Sequence, residues 1–324
     1  MTKKNIVIFA VFTLISAIFS FLCAGSFLNF YGAEFLVAAF VCVVFAACTL
    51  PLGGICVALS VAAAFLGGGI QGVILASVSG IFAAFAGVAI KKGITTGKLV
   101  IIFASGLFFS AIAFIVYKTN ITDPKFVENF LNAVKSDFIY VAVQYMEIIG
   151  VEGQDAVISQ FADTYFMYVQ NTIPAILIIV SLIFAFLSSC VVSLCLRVVK
   201  NRELYKVTFS KFMCDKTTTV VFAISAVCFF FMKQSIIQTV FMNAFMILLF
   251  VFQVCGYSLI DSFLKRKNLP TGLRFLIVVT AMVFLSGGIA VSVLVIAAVM
   301  DSFKNFRAIG VEAGDTDEGD KGSE

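Results

Sequence analysis

Apolar residues fall along this chain in long unbroken runs, and short clusters of charge separate one run from the next. The run from Ile236 to Leu264 stops at Lys265-Arg266-Lys267 and Pro270. As a helix it would reach about 40 Å, enough for a bilayer core of about 30 Å. Asn243, Phe250, Gln253, Tyr257 and Asp261 then fall within about a quarter of its circumference. Polar groups facing lipid would lack partners, so this stripe is predicted to face other helices or a cavity. The basic stop places Asp261 near a membrane surface and leaves Asn243, Gln253 and Tyr257 as the candidate solute-binding residues.

The same pattern predicts the other elements. Ile6 to Leu28 reads as a retained first helix, too long for an ordinary signal peptide. Ala10, Ala17 and Ala24 recur every seven residues on it, beside Thr13/Ala17 and Ser16/Ser20. Small faces of this kind admit a neighbouring helix closely, and the alanines are candidates for docking a partner. Breaks at Leu50-Pro51-Leu52-Gly53-Gly54 and at Gly67-Gly68-Gly69 predict short segments at about 35–50 and 54–67, then a fuller one at about 70–90. Ala76, Ser79, Gly80, Ala83, Ala84 and Gly87 mark the last as a close-packing helix. Leu99 to Tyr117 crosses back.

Residues 118–171 form the one substantial polar segment. Asp123-Pro124 reads as an N-cap with proline at the first helical position. Phe130, Val134, Phe138, Val141 and Tyr145 keep helical spacing up to Gly150, and Val157, Phe161, Tyr165 and Tyr168 begin a second stripe. The expectation is an external amphipathic helical hairpin that caps the bundle or lies on the membrane surface. Asn171-Thr172-Ile173-Pro174 then opens a further span ending at Arg197. After the basic loop 197–216, in which Phe209 and Phe212 are spaced for a short interfacial helix, Thr217 to Met232 crosses again. The last run, Arg274 to Met300, is either one crossing or a hairpin broken at Gly287-Gly288.

Composition agrees: 61% hydrophobic and 12% charged residues, with a mean hydropathy of +1.10, exclude a water-soluble domain of this length. The fold class is therefore all-α, a polytopic helical membrane bundle of about eight or nine spans over residues 1–307, followed by a disordered acidic tail, 308–324. The net charge is +4, and its basic residues cluster in short inter-run loops. That pattern places the loops and the N-terminus on the cytoplasmic side of the membrane and does not suggest nucleic-acid binding.

The absence of histidine removes histidine relays, Ser-His pairs and His-containing zinc sites. The nine cysteines contain no C-x-x-C and read as packing residues, so neither a metal nor a cofactor is expected. No nucleotide-binding or hydrolase motif occurs, and an enzyme is not expected. Glu34, Lys233, Asp261 and Asp301 all lie near the ends of the apolar runs, a placement that disfavours ion coupling.

Asn243, Phe252-Gln253-Val254-Cys255-Gly256-Tyr257-Ser258, Lys265-Arg266-Lys267-Asn268-Leu269-Pro270, Ile173-Pro174 and Met300-Asp301-Ser302-Phe303-Lys304-Asn305-Phe306-Arg307 together resemble the YybS-like membrane proteins (domain of unknown function 2232), a resemblance that implies a bacterial cytoplasmic (inner) membrane location. The chain is also distantly similar to the S-components of energy-coupling-factor transporters. That resemblance implies a component that binds a small solute and works with a transmembrane coupling subunit and ATPases. The other function class that fits is a non-transporting scaffold for envelope or division machinery.

Overall fold

The computed structural model describes residues 3–24, 27–149, 155–199, 207, 209–232, 236–284 and 288–307. Ten α-helices and no strand occur among them: α1 (Lys3–Cys23), α2 (Phe27–Ala47), α3 (Leu50–Lys91), α4 (Thr96–Tyr117), α5 (Phe126–Ile148), α6 (Asp155–Val198), α7 (Lys216–Phe231), α8 (Ile236–Arg266), α9 (Thr271–Phe284) and α10 (Gly288–Lys304). Five of them, α1, α3, α4, α6 and α8, are long and apolar enough to cross a membrane, as the all-α membrane class requires. The chain divides into two compact units, Met1–Val207 and Thr208–Glu324. Gly150, Lys233 and the tail 308–324 lie outside the described residues.

In the first unit α3 packs against α1, α2 and α4, and α6 packs against α2 and α4. The break before α3 falls at Cys48-Thr49, earlier than Gly53-Gly54. Thr49 is extended (φ −78°, ψ 156°) and Pro51 sits in the first turn, where its missing N–H costs nothing. The second break does lie in the glycine cluster. Gly69 has φ +61° and ψ −144°, a conformation open essentially to glycine, so α3 is two helices, 50–68 and 70–91. Gly67 and Gly68 lie against the backbone carbonyls of Phe21 and Ala24, and Gln71 donates to the Ala24 carbonyl at 3.3 Å. At the opposite end of the unit Lys91 donates to the Cys48 carbonyl at 2.5 Å.

The helical hairpin forms, with two differences from expectation. Asp123 caps the turn before α5: its carboxylate accepts from the Lys125 amide (2.9 Å) and the Asn129 side chain (3.0 Å), while the cap position itself is Lys125. The second arm and the following span are one helix. The 44 residues of α6 run through Pro174, which removes only the bond to the Gln170 carbonyl. The apolar 24 residues from Ala175 to Val198 reach about 36 Å, enough for the crossing. The arm 155–174 therefore continues the span. Phe138 packs on Phe161, Tyr165 and Phe166, and Lys135 pairs with Asp163.

In the second unit α7, α9, α10 and a 3-10 turn at Phe209–Lys211 all pack on α8. Phe222 joins α7 to α8 by stacking on Phe245 at 5.5 Å. Asp215 caps α7; the Thr218 hydroxyl and amide both donate to it and hold its carboxyl below the usual aspartate range.

The last run is a hairpin. Arg274, early in α9, reaches Asp261, and Arg307, just past α10, reaches Ser258, so both ends of the hairpin sit beside the last turns of α8. Gly288 (φ +55°) begins the return helix. α9 has 14 residues and α10 has 17, about 21 and 26 Å long and shorter than a bilayer core. A single-cysteine probe after Arg307 should thus react with a membrane-impermeant maleimide from the same side as one at Lys267. Labelling from opposite sides would require a single crossing instead.

Candidate functional site

The α8 stripe is largely satisfied within its own helix. Asn243 donates to the Thr239 carbonyl at 2.8 Å, and Gln253 donates to the Tyr257 hydroxyl at 3.3 Å. Tyr257 is buried against Val278 and Leu294. Asn243 stands about 15 Å along the axis from Gln253, so the three residues do not converge on one space.

The polar residues that do converge in this unit lie at the end of α8. Asp261 is buried and held bidentately by Arg274 at 2.7 Å. Arg307 is more fully enclosed. Its guanidinium donates to Asp301 (2.7 Å), to the Ser210 carbonyl (2.6 Å), to the Ser258 hydroxyl (2.9 Å) and to the Cys255 carbonyl (3.3 Å). Ser258 in turn donates to the Phe209 carbonyl at 2.6 Å, and Ser302 meets Thr219 at 2.8 Å. This is a clasp that ties the 3-10 turn, α8 and the end of α10 together. Its donors are consumed by protein acceptors, which fits a structural role.

A different carboxyl is open for chemistry. Glu34, on α2 of the first unit, is fully buried (0% exposed), although its place near the start of an apolar run predicts a residue at a segment end. Oε1 accepts from the Ser110 hydroxyl of α4 at 2.6 Å, the Ser79 hydroxyl of α3 also faces the carboxyl, and Oε2 has no hydrogen-bond partner. No ion pair to Glu34 occurs among the described residues. The next residue is held as well: Ser188 of α6 donates to the Phe35 carbonyl at 2.9 Å and Phe184 stacks on Phe35 at 5.5 Å. Helices α2, α3 and α4 thus bring one carboxyl inside the bundle, and α6 holds the residue beside it. The sequence signal that would have found it is Ser79 and Ser110, small polar residues on the buried faces of two neighbouring helices.

Of the three alanines, Ala24, just past the end of α1, is buried against α3, Ala17 is half-buried and Ala10 is exposed. The buried face of α1 is Ile8, Thr13, Ser16 and Ser20, with Ser16 meeting Ser60 of α3 at 2.8 Å. A partner on the alanine stripe would meet Ala10 and part of Ala17. A largely apolar cavity of about 170 Å³ lies between α4 and α6, lined by Ile101, Ala104, Ser105, Phe108, Ile178, Ser181 and Leu182.

No curated protein and no solved structure matches the chain. A family of predicted membrane proteins, DUF2232, matches residues 7–301, from within α1 to within α10. The chain belongs to the DUF2232 family of predicted membrane proteins.

Proposed function

We propose that this protein is a small-molecule binding component of a membrane transport system, with Glu34 as the group that engages a positively charged solute or its coupling cation. The observation that carries this reading is the unpartnered Oε2 of a carboxyl with no exposure, inside a helical bundle. Removing a carboxylate from water costs several kcal/mol unless a partner offsets it. Intramembrane ionisable groups retained at such a cost mark ligand or ion paths. A scaffold that works through its surfaces gains nothing from Glu34. The sequence carries no nucleotide-binding motif of its own, so the energy for transport comes from partner proteins, a coupling subunit with ATPases being the arrangement that fits.

The test is thermal unfolding of the purified protein against sodium, potassium and a panel of small amines and cationic metabolites. At least one should raise the melting midpoint by several degrees, since a ligand at 100 times its Kd adds about 2.7 kcal/mol. Glu34→Gln should abolish that shift while the unliganded protein stays folded, because glutamine still accepts from Ser110 and carries no charge. Gln253→Ala should leave the shift in place. If no positive species stabilises the protein, or the shift survives in Glu34→Gln, this reading is wrong.

A further inference from the structure

We infer that Cys214 and Cys255 are a redox-responsive dithiol, which a peroxide converts to a disulfide that fastens the segment before α7 to α8. Their sulfurs lie 3.4 Å apart although the residues are 41 positions apart in sequence. Both are buried, in one cluster with Phe252, Val295 and Ala298. A bonded pair requires an approach of about 1.4 Å more. Cys214 can supply it because it lies in the irregular stretch between the 3-10 turn and α7, where no helical hydrogen bond needs to break. Packing alone would be served as well by alanine or valine at both positions; two thiols in contact also have a chemistry open to them.

One sulfur, as thiolate, attacks a peroxide oxygen. The O–O bond breaks, the sulfur becomes a sulfenic acid, and the remaining oxygen leaves as water or an alcohol. The second thiol attacks that sulfur; the S–S bond forms, the S–O bond breaks, and the hydroxyl leaves as water with the thiol proton. Two electrons pass from the sulfurs to the peroxide, and a dithiol reductant returns them by exchange. The bond joins two walls of the Arg307 clasp, since the Cys255 carbonyl and the Ser210 carbonyl both accept from that guanidinium. Oxidation would then close this end of the second unit covalently.

The experiment treats the purified full-length protein with hydrogen peroxide, alkylates the remaining thiols under denaturing conditions and maps the peptides by mass spectrometry. Met213, adjacent and 44% exposed, becomes a sulfoxide once peroxide has reached the region and is the internal control. The expected result is a linked Cys214–Cys255 peptide, both residues protected from alkylation, reversal by dithiothreitol, and a melting midpoint several degrees higher in the oxidised protein. In Cys255→Ser the protection of Cys214 and the added stability should both vanish. Full alkylation of both residues when Met213 is already oxidised overturns the inference, as does oxidation to sulfinic acid with no linked peptide. Because the wild-type result stands alone, a poorly folding variant does not rescue it.

Discussion

Arg307→Ala should destabilise the second unit by about 3–5 kcal/mol, the range for removing one partner of a buried ion pair. The guanidinium is 11% exposed and the Asp301 side chain 1%, so solvent screening takes little from this figure. Removing the guanidinium strands more than one group. Asp301 loses the bond to Oδ2 while its Oδ1 already has no partner. The Ser210 and Cys255 carbonyls lose a donor at the same time. Arg307→Lys keeps the charge but not the planar fork, and should recover only part of the loss. Arg307→Met combined with Asp301→Asn removes the charge from both sides and should lie closer to wild type than Arg307→Ala alone. Denaturant unfolding of the purified protein, followed by tyrosine fluorescence or protease resistance, measures all three. A loss below about 1 kcal/mol for Arg307→Ala would mean that the clasp is loosely held.

A second large effect is expected at Gly68. A Cβ built there falls 2.0 Å from the Ala24 carbonyl oxygen and 2.5 Å from its carbon, well inside any contact a real Cβ makes. The obstacle is backbone, which cannot rotate away as a side chain would. Gly68→Ala therefore has to push the end of α1 off α3, at a cost of about 1–3 kcal/mol or more by overpacking. It also disturbs the Gln71 bond to the same carbonyl. Gly54→Ala is the matched control, since it lies on the same helix with nothing within 4 Å of its added methyl. There alanine should be neutral or stabilise by about 0.4–1 kcal/mol. Equal behaviour of the two variants in thermal unfolding would contradict the close approach of α1 and α3.

The helices, the break in the glycine cluster and the close-packed face at Ala76, Ser79, Gly80 and Ala83 follow from residue spacing and side-chain size, which act locally. The charged residues were harder to place because their partners are distant in sequence. Glu34 looks like a residue at the end of an apolar run until Ser110, 76 positions on, is set against it. Asp261 has the same character: Arg274 is 13 residues later and on another helix. The Asn243, Gln253 and Tyr257 stripe was legible as a stripe, but helical periodicity does not reveal that Gln253 and Asn243 bond within their own helix. Pro174 shows a local rule overridden. A proline beside polar residues signals a helix start, yet here it sits inside 44 continuous helical residues, where packing on α2 and α4 holds the helix past one missing hydrogen bond.

That continuity makes α6 a lever with its weak point at Pro174. The arm 155–174 is about 30 Å long, so a bend of about 10° at the proline, within what proline-centred kinks provide, would sweep its tip through about 5 Å. The displacement works in both directions. A load on the hairpin tip becomes torque at the point where α6 enters the bundle, four turns from Ser188 and its bond to the residue beside Glu34. Movement around that carboxyl would in turn be magnified toward the far end of the arm, where Val157 and Phe161 stand exposed.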